Sequence, residues 1–196
     1  GGMLRYGIPE HRLPRNVLDA EIQNLKRYGI RIHTNTTIGR DLTLEDLQKQ
    51  GVGAIFLAIG AWKSLKLNIP GEEIPQGISD AISFLRDVHL GRLKKMTGRV
   101  VVIGGGHSAL DSARVALRLG ANEAHLIYRR SRADMPAEQS EVLEAEKEGV
   151  KVLFQAAPVR ISGEKGRVTG VQCIRIRLAE ADSTGRPRPV PIEDSE

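Results

Sequence analysis

The chain has 196 residues, of which 40% are hydrophobic, so it can bury one or two globular cores. No apolar run approaches the ~20 residues that cross a bilayer, and no secretory signal opens the chain, so we expect a cytoplasmic protein without a membrane partner. The formal charge of +5 is accompanied by only 4% aromatic residues and by dispersed basic residues, which argues against a nucleic-acid partner.

The first 60 residues follow an α/β pattern. Apolar residues at helical spacing predict an amphipathic helix over Asn16–Arg27, and Ile30–Thr34 predicts a short strand. The segment Thr43–Asp46 resembles a capping box, with Asp in place of the usual Glu, and opens a second short helix. The apolar run Ala54–Ile59, which a glycine closes, predicts a strand buried on both faces.

A connection rich in Pro and Gly at residues 61–80 separates this pattern from a second one, and we place a domain boundary near residue 90, between units 1–90 and 91–196. The elements expected from there onward are a helix over Ala81–Leu90, a strand over Arg99–Ile103, a helix over Ser108–Leu119, a strand over Glu123–Tyr128, a helix over Ala137–Glu148 and a strand over Val150–Phe154. This alternation predicts a Rossmann-like α/β unit with a parallel sheet.

The pattern changes beyond Pro158. Two runs, Val159–Ser162 and Val168–Leu178, flank a glycine-containing turn at residues 163–166 and predict an antiparallel hairpin or meander. The Pro-rich tail after Asp182 is expected to be frayed.

A glycine-rich turn joins the strand at residues 99–103 to the helix that follows it. Its pattern is Gly-x-Gly-x-x-Ala, in which Gly104 permits the sharp turn and Gly106 lets the backbone approach a pyrophosphate. Ala109 allows the helix to pack closely on the strand, and the helix amino terminus offers N–H groups to phosphates. The turn therefore predicts a dinucleotide site, with His107 in a positional rather than an acid–base role.

The residues after the next strand favour NADP(H) over NAD(H). NAD sites place an Asp or Glu there for the ribose 2′-hydroxyl, whereas this chain has Arg129, Arg130 and Arg132 and no carboxylate nearby. Guanidinium groups bind a 2′-phosphate, which a carboxylate would repel. The alternative of a solvated loop stays open, above all for Arg132.

Other residue types narrow the chemistry. Cys173 is the single cysteine. This chain therefore has no intrachain disulfide, cysteine-rich zinc site, iron–sulfur ligation or redox Cys-x-x-Cys pair. The histidines outside the turn lack the spacing of metal ligands. We therefore assign no catalytic residue and no metal ligand.

Several segments together resemble the small, beta subunit of NADPH-dependent glutamate synthase and its flavoprotein relatives. They are Gly1–Pro9, Phe56–Ala61, Ile69–Glu72, Val100–Arg114 and Tyr128–Ala137. The resemblance implies an FAD domain interrupted by an NADPH domain, with residues 1–90 contributing part of the FAD domain. It also implies hydride transfer from NADPH to FAD, and electron transfer onward to an iron–sulfur centre or a large catalytic subunit.

The resemblance also assigns residues to the two cofactors. It implies that the glycine turn contacts the NADPH pyrophosphate, that the arginines surround the 2′-phosphate, and that the Gly1-Gly2 and Ala58–Gly60 segments lie against FAD. The candidate cofactor residues are therefore Gly104, Gly105, Gly106, His107, Ser108, Arg129, Arg130, Arg132, Gly2 and Gly60. The chain departs from the family at His107-Ser108, where Asn-Thr is usual, and at Ile59, where Thr is usual.

The family's first glycine-rich turn lies upstream of a segment like Gly1-Gly2, and its closing Gly-Asp motif lies beyond residue 196. We therefore expect a central portion of a longer protein, which binds NADP(H) itself and FAD only in full-length form. Two alternatives stay open. One is a thioredoxin-reductase-like flavoprotein, against which the single cysteine argues, and the other is a non-catalytic NADP(H)-binding module.

Overall fold

The computed structural model describes residues 1–181 and 185–196, and the contacts of the chain divide it into two units. The large unit comprises Gly1–Arg12 and Lys63–Glu196, and the small unit comprises Leu13–Trp62. The division into cofactor domains near residue 90 stays a prediction.

Two helices form the small unit's regular structure, α2 (Arg15–Arg27) and α3 (Leu44–Lys49). The amino terminus of α3 is a complete capping box, because Thr43 Oγ1 accepts a hydrogen bond from Asp46 N at 3.1 Å and the Asp46 carboxylate accepts one from Thr43 N at 3.1 Å. Aspartate therefore takes the place of the usual glutamate in this capping box. Both helices predicted in this unit are present.

The two strands predicted in the small unit are wrong. Neither Ile30–Thr34 nor Ala54–Ile59 pairs with a neighbouring strand within the described residues, and Phe56 is 92% exposed. An apolar run shows that residues suit burial, but a strand forms only where a second strand completes its hydrogen bonds. The described residues supply no such partner.

The large unit contains a three-stranded parallel sheet with the order β1–β2–β3. All three strands begin and end at the predicted residues. The parallel register pairs Ile103 with Ile127 and Tyr128 with Phe154, so the carboxyl ends of the strands meet at one edge. The elements of this part of the unit are α1 (Gly2–Tyr6), α4 (Ala81–His89), β1 (Arg99–Ile103), α5 (His107–Arg118), β2 (Glu123–Tyr128), a 3-10 turn (Arg132–Asp134), α6 (Gln139–Lys147) and β3 (Val150–Phe154).

The core of the large unit lies between this sheet and helices α5 and α6. Leu110, Leu126 and Val142 are each at most 2% exposed, and the burial of each such side chain contributes about 1.5–3 kcal/mol. Small residues, among them Ala113 and Ala145, let the helices approach closely. The glycine turn thus joins two well-packed elements, β1 and α5.

The carboxyl-terminal part is a second sheet, antiparallel, with the order β4–β5–β6. Its strands are β4 (Ala156–Glu164), β5 (Arg167–Ala181) and β6 (Pro187–Pro191). The predicted hairpin is confirmed, but the predicted fraying of the tail is wrong for residues 187–191, because they pair with β5. The first tail residues, 182–184, lie outside the described residues. Prolines suit β6 because an edge strand has N–H positions that need no ladder partner.

The connection at residues 69–76 forms hydrogen bonds to β4 and β5 of this sheet. Ile161 N donates to Pro70 O at 2.8 Å, and Val168 N donates to Gln76 O at 3.0 Å. Gly71 has a φ of +89°, and a Cβ there would lie 1.9 Å from the Ile161 carbonyl oxygen. Only glycine can therefore hold the connection against β4 in this way.

The fold class predicted from the sequence, a Rossmann-like α/β unit with an antiparallel meander, is confirmed. Within the described ranges, no helix combines the length and the apolar character that crossing a membrane requires.

Candidate dinucleotide-binding site

The first glycine of the turn has the geometry that the motif predicts. Gly104 has a φ of +134°, and its N–H donates to Ile127 O at 3.0 Å, which ties the turn to β2. A Cβ on Gly104 would lie 3.4 Å from the Cβ of Ala109, which is itself 7% exposed. The small residue at position 109 thus lets α5 pack directly against the turn.

The second glycine serves the packing of the turn. A Cβ on Gly105 would come within 2.5 Å of the Tyr128 ring, and Gly105 O accepts a hydrogen bond from Ala137 N at 3.3 Å. The Tyr128 hydroxyl donates to Asp134 O at 2.7 Å, which fixes the ring. The turn therefore packs against the ring of Tyr128, the last residue of β2.

The third glycine has no packing reason to be glycine. Gly106 is the N-cap of α5 with a φ of −90°, which any residue can adopt, and an ideal Cβ there would meet nothing within 4 Å. No side chain caps this helix end, so the backbone N–H groups of His107 and Ser108 lie at the positive end of the helix dipole without a capping side chain. The open space beside these amides fits the phosphates of a dinucleotide.

The two residues after Gly106 are exposed. His107 Nδ1 lies 2.5 Å from Glu141 Oε2 of α6, and Ser108 O accepts a hydrogen bond from Ser112 Oγ at 2.7 Å. His107 is therefore held from the side by α6, through the contact between its imidazole and the Glu141 carboxylate.

The structure gives the three arginines three different surroundings. Arg130 is 6% exposed, and its Nε donates to Pro187 O of β6 at 2.8 Å. Arg132 forms an ion pair with Glu146, and its guanidinium lies 5.1 Å from the centroid of the Phe154 ring. Arg129 is exposed, and in residues 1–181 and 185–196 its guanidinium forms no ion pair. It follows β2 at the edge of the sheet where the glycine turn lies, so it is the arginine available to a ligand.

Gly2 and Gly60, which the resemblance places against FAD, fall in different units. Gly2 begins α1 with a φ of +59°, and Gly60 has a φ of +70°; both are exposed. Their contact with FAD stays a prediction.

Sequence reasoning missed one group of charges beside the turn. Asp111 of α5 is 4% exposed and accepts a hydrogen bond from Arg12 Nη1 at 2.9 Å, while Arg12 Nη2 donates to Glu141. Burial raises the pKa of Asp111 above its usual range, and Arg12 opposes this rise. The signal available in the sequence was a carboxylate on the face of α5 that also carries buried apolar residues.

A second ion pair joins α5 to α6 farther from the turn. Arg114 Nη2 lies 2.5 Å from Glu148 Oε1, and Arg118 Nη2 lies 2.7 Å from the same atom. The hydrogen bond from Arg114 is the main cause that lowers the pKa of Glu148 to about 2, with Arg118 adding to it. This pair fixes the helix ends opposite the glycine turn.

Curated proteins similar to this chain include subunits of oxidoreductases. The chain is 47% identical over 198 residues to the beta subunit of NADP(+)-dependent formate dehydrogenase of Moorella thermoacetica. It is 38% identical over 207 residues to the small chain of glutamate synthase (NADPH) of Azospirillum brasilense, which confirms the predicted resemblance. All of this chain is covered in both matches, but only 28% of the first relative and 42% of the second. The chain thus spans less than half the length of either relative.

A solved structure and a family model also match this chain. The structure of Mycobacterium tuberculosis FprA in complex with NADPH has a TM-score of 0.77 over 100% of this chain and 58% of that chain. At 18% identity, this likeness shows the fold alone. Residues 5–183 match the model of the pyridine nucleotide-disulphide oxidoreductase family. The chain therefore belongs to the pyridine nucleotide-disulphide oxidoreductase family.

Proposed function

We propose that this chain is the NADP(H)-binding part of a flavin-dependent oxidoreductase. NADPH held by this chain would supply a hydride to an FAD, and the electrons would go on to an iron–sulfur centre or a partner subunit. The observation that carries the proposal is the open space at Gly106, where an ideal Cβ would meet no described atom within 4 Å apart from the chain neighbours of Gly106.

The phosphates of the dinucleotide are bound by the amino end of α5. The backbone of Gly106, His107 and Ser108 provides N–H groups at the end of the helix that attracts anions. Neither of the other two glycines offers this space, because a Cβ at Gly104 would meet Ala109 and one at Gly105 would meet Tyr128. The motif therefore divides into two glycines that build the turn and one that receives the ligand.

The preference for NADP(H) rests on Arg129. It is exposed at the carboxyl end of β2, and no carboxylate occupies the position that binds an NAD ribose. The guanidinium of Arg129 pairs with the 2′-phosphate in a charge-assisted contact. Arg130 and Arg132 hold the loop in place through Pro187, Glu146 and Phe154. The names of several relatives, which include NADP(+) or NADPH, support the same preference.

The protein's own part in the reaction is to bind and orient. Hydride transfer between a nicotinamide and a flavin requires no protein acid or base, so His107, which contacts Glu141, has a positional role. The relatives' names as a beta subunit or a small chain support a partner subunit that receives the electrons.

Calorimetric titration of the chain with NADPH and NADH tests the proposal. We expect NADPH to bind more tightly, and Arg129→Ala to weaken NADPH by about 1–3 kcal/mol while NADH barely changes. Arg160→Ala is the matched control, because Arg160 is an exposed arginine of β4. Equal affinity of the wild type for the two nucleotides would contradict the assignment. A second measurement, flavin absorbance, should find FAD in the longer protein.

A further inference from the structure

Two carboxylates lie close to the helix end that is proposed to receive phosphates. Asp111 is on the second turn of α5 and is almost fully buried, and Glu141 of α6 contacts His107, the residue that follows Gly106. A helix amino terminus carries about half a positive charge, so two uncompensated carboxylates beside it would reverse the sign of the local field. Such a site would repel an anionic ligand.

The guanidinium of Arg12 pairs with both carboxylates. Arg12 Nη1 donates to Asp111 Oδ2 at 2.9 Å, and Arg12 Nη2 donates to Glu141 Oε1. The Arg12 side chain is 30% exposed and comes from the segment before the small unit, far from α5 in sequence. Arg114, the other cation that acts on Asp111, is hydrogen-bonded to Glu148.

We propose that Arg12 is a positioning residue for NADP(H), because it neutralises Asp111 and Glu141 and thereby leaves the amino end of α5 attractive to phosphate. This inference rests on the proposed function. Arg12 touches no ligand in this arrangement, since both of its described partners are carboxylates of α5 and α6. It acts through the charges that it cancels.

The test is the affinity for NADPH of the Arg12→Gln variant, measured by fluorescence titration at several salt concentrations. We expect the dissociation constant to rise about tenfold at low salt, as an uncompensated charge within a few ångströms produces in a partly solvated site. The ratio between variant and wild type should shrink as salt rises, because salt screens the repulsion. A purely structural loss would keep that ratio constant.

Two further variants separate charge from packing. The triple variant Arg12→Gln, Asp111→Asn, Glu141→Gln removes the repelling carboxylates, so its affinity for NADPH should return to within about threefold of the wild type. The matched control is Arg40→Gln, which breaks the exposed pair of Arg40 and Asp41 at 2.9 Å in the small unit and should leave NADPH affinity unchanged.

The outcomes are distinguishable. Wild-type affinity in Arg12→Gln, or a salt-independent loss, overturns the inference and leaves the proposed function intact. If Arg12→Gln does not fold, the triple variant decides alone: binding within threefold supports the inference, and a tenfold loss in a folded triple variant overturns it. Failure of the wild type to bind NADPH overturns the proposed function and this inference with it.

Discussion

Two neighbouring glycines distinguish what the fold requires from what a ligand requires. A Cβ on Gly105 would lie 2.5 Å from the Tyr128 ring, whereas one on Gly106 would meet nothing within 4 Å. Overpacking of the first kind costs about 1–3 kcal/mol of unfolding free energy. We therefore expect Gly105→Ala to lower Tm, by about 2–4 °C for each kcal/mol in a chain of this length.

Gly106→Ala should show the opposite behaviour. Its φ of −90° suits any residue, so the only cost to folding is the weaker N-cap preference of alanine, about 1 kcal/mol or less. The same methyl group stands where a pyrophosphate must approach the backbone. If it costs the complex about 1–3 kcal/mol, as overpacking does, the dissociation constant for NADPH rises about 5- to 150-fold. Gly106→Val should abolish binding.

Thermal unfolding and fluorescence titration with NADPH, made on the same preparations, check both variants. The expected pattern is crossed: Gly105→Ala loses stability, and Gly106→Ala loses affinity without a matching loss of stability. Wild-type NADPH affinity in a folded Gly106→Val protein would refute the reasoning, because the turn would then be structural and the cofactor assignment would lose its main support.

Two further predictions concern the framework around the site. Gly71→Ala should lower the free energy of unfolding by more than about 2 kcal/mol, because the new Cβ would meet a β4 carbonyl oxygen at 1.9 Å and the φ of Gly71 is +89°. Amide hydrogen exchange should be faster in β4 of this variant. Gly170→Ala is the control, because a Cβ at position 170 would meet nothing within 4 Å. The other prediction concerns Glu148, whose pKa the hydrogen bond from Arg114 lowers to about 2. The stability that ionised Glu148 contributes is therefore complete above the ordinary glutamate pKa of about 4.5 and disappears as pH falls towards 2. Glu148→Gln should therefore lower the free energy of unfolding by about 1–2 kcal/mol at pH 7 and by little near pH 2. Denaturant titration at both pH values checks this against Glu144→Gln, and an equal loss at both would contradict the ion-pair explanation.

The parallel sheet was predictable because its signals are local. Each of its strands is a short segment rich in apolar residues and bounded by polar residues or glycine, and the apolar residues of the helices between the strands recur at helical spacing. The turn at Gly104–Gly106 was predictable for the same reason, since strand, glycines and helix are contiguous. Ala54–Ile59 shows the limit, because an apolar run does not reveal whether a pairing strand is available.

The site was only partly predictable because side-chain partners come from distant parts of the chain. Three arginines within four positions looked equivalent in the sequence, yet Arg130 is engaged by Pro187 and Arg132 by Glu146, whereas Arg129 is exposed. The pairing of Arg12 with Asp111, 99 positions apart, gave no local signal at all. Similarly, proline content suggested a frayed tail at residues 187–191, although pairing with β5 orders it.

The alternating prolines of β6 link the loop after β2, which carries Arg129, to sequence changes in a distant part of the chain. In an antiparallel strand, the nitrogen and the carbonyl of one residue point to the same side. The nitrogens of the three prolines in β6, which carry no hydrogen, therefore point outward, and so do the carbonyls of these prolines. Arg130 Nε donates to the first of these carbonyls, at Pro187. The loop that carries Arg129 is thereby anchored to a strand more than fifty residues away. We therefore expect sequence changes in β6 to alter the proposed preference for NADP(H) over NAD(H) without touching either nucleotide.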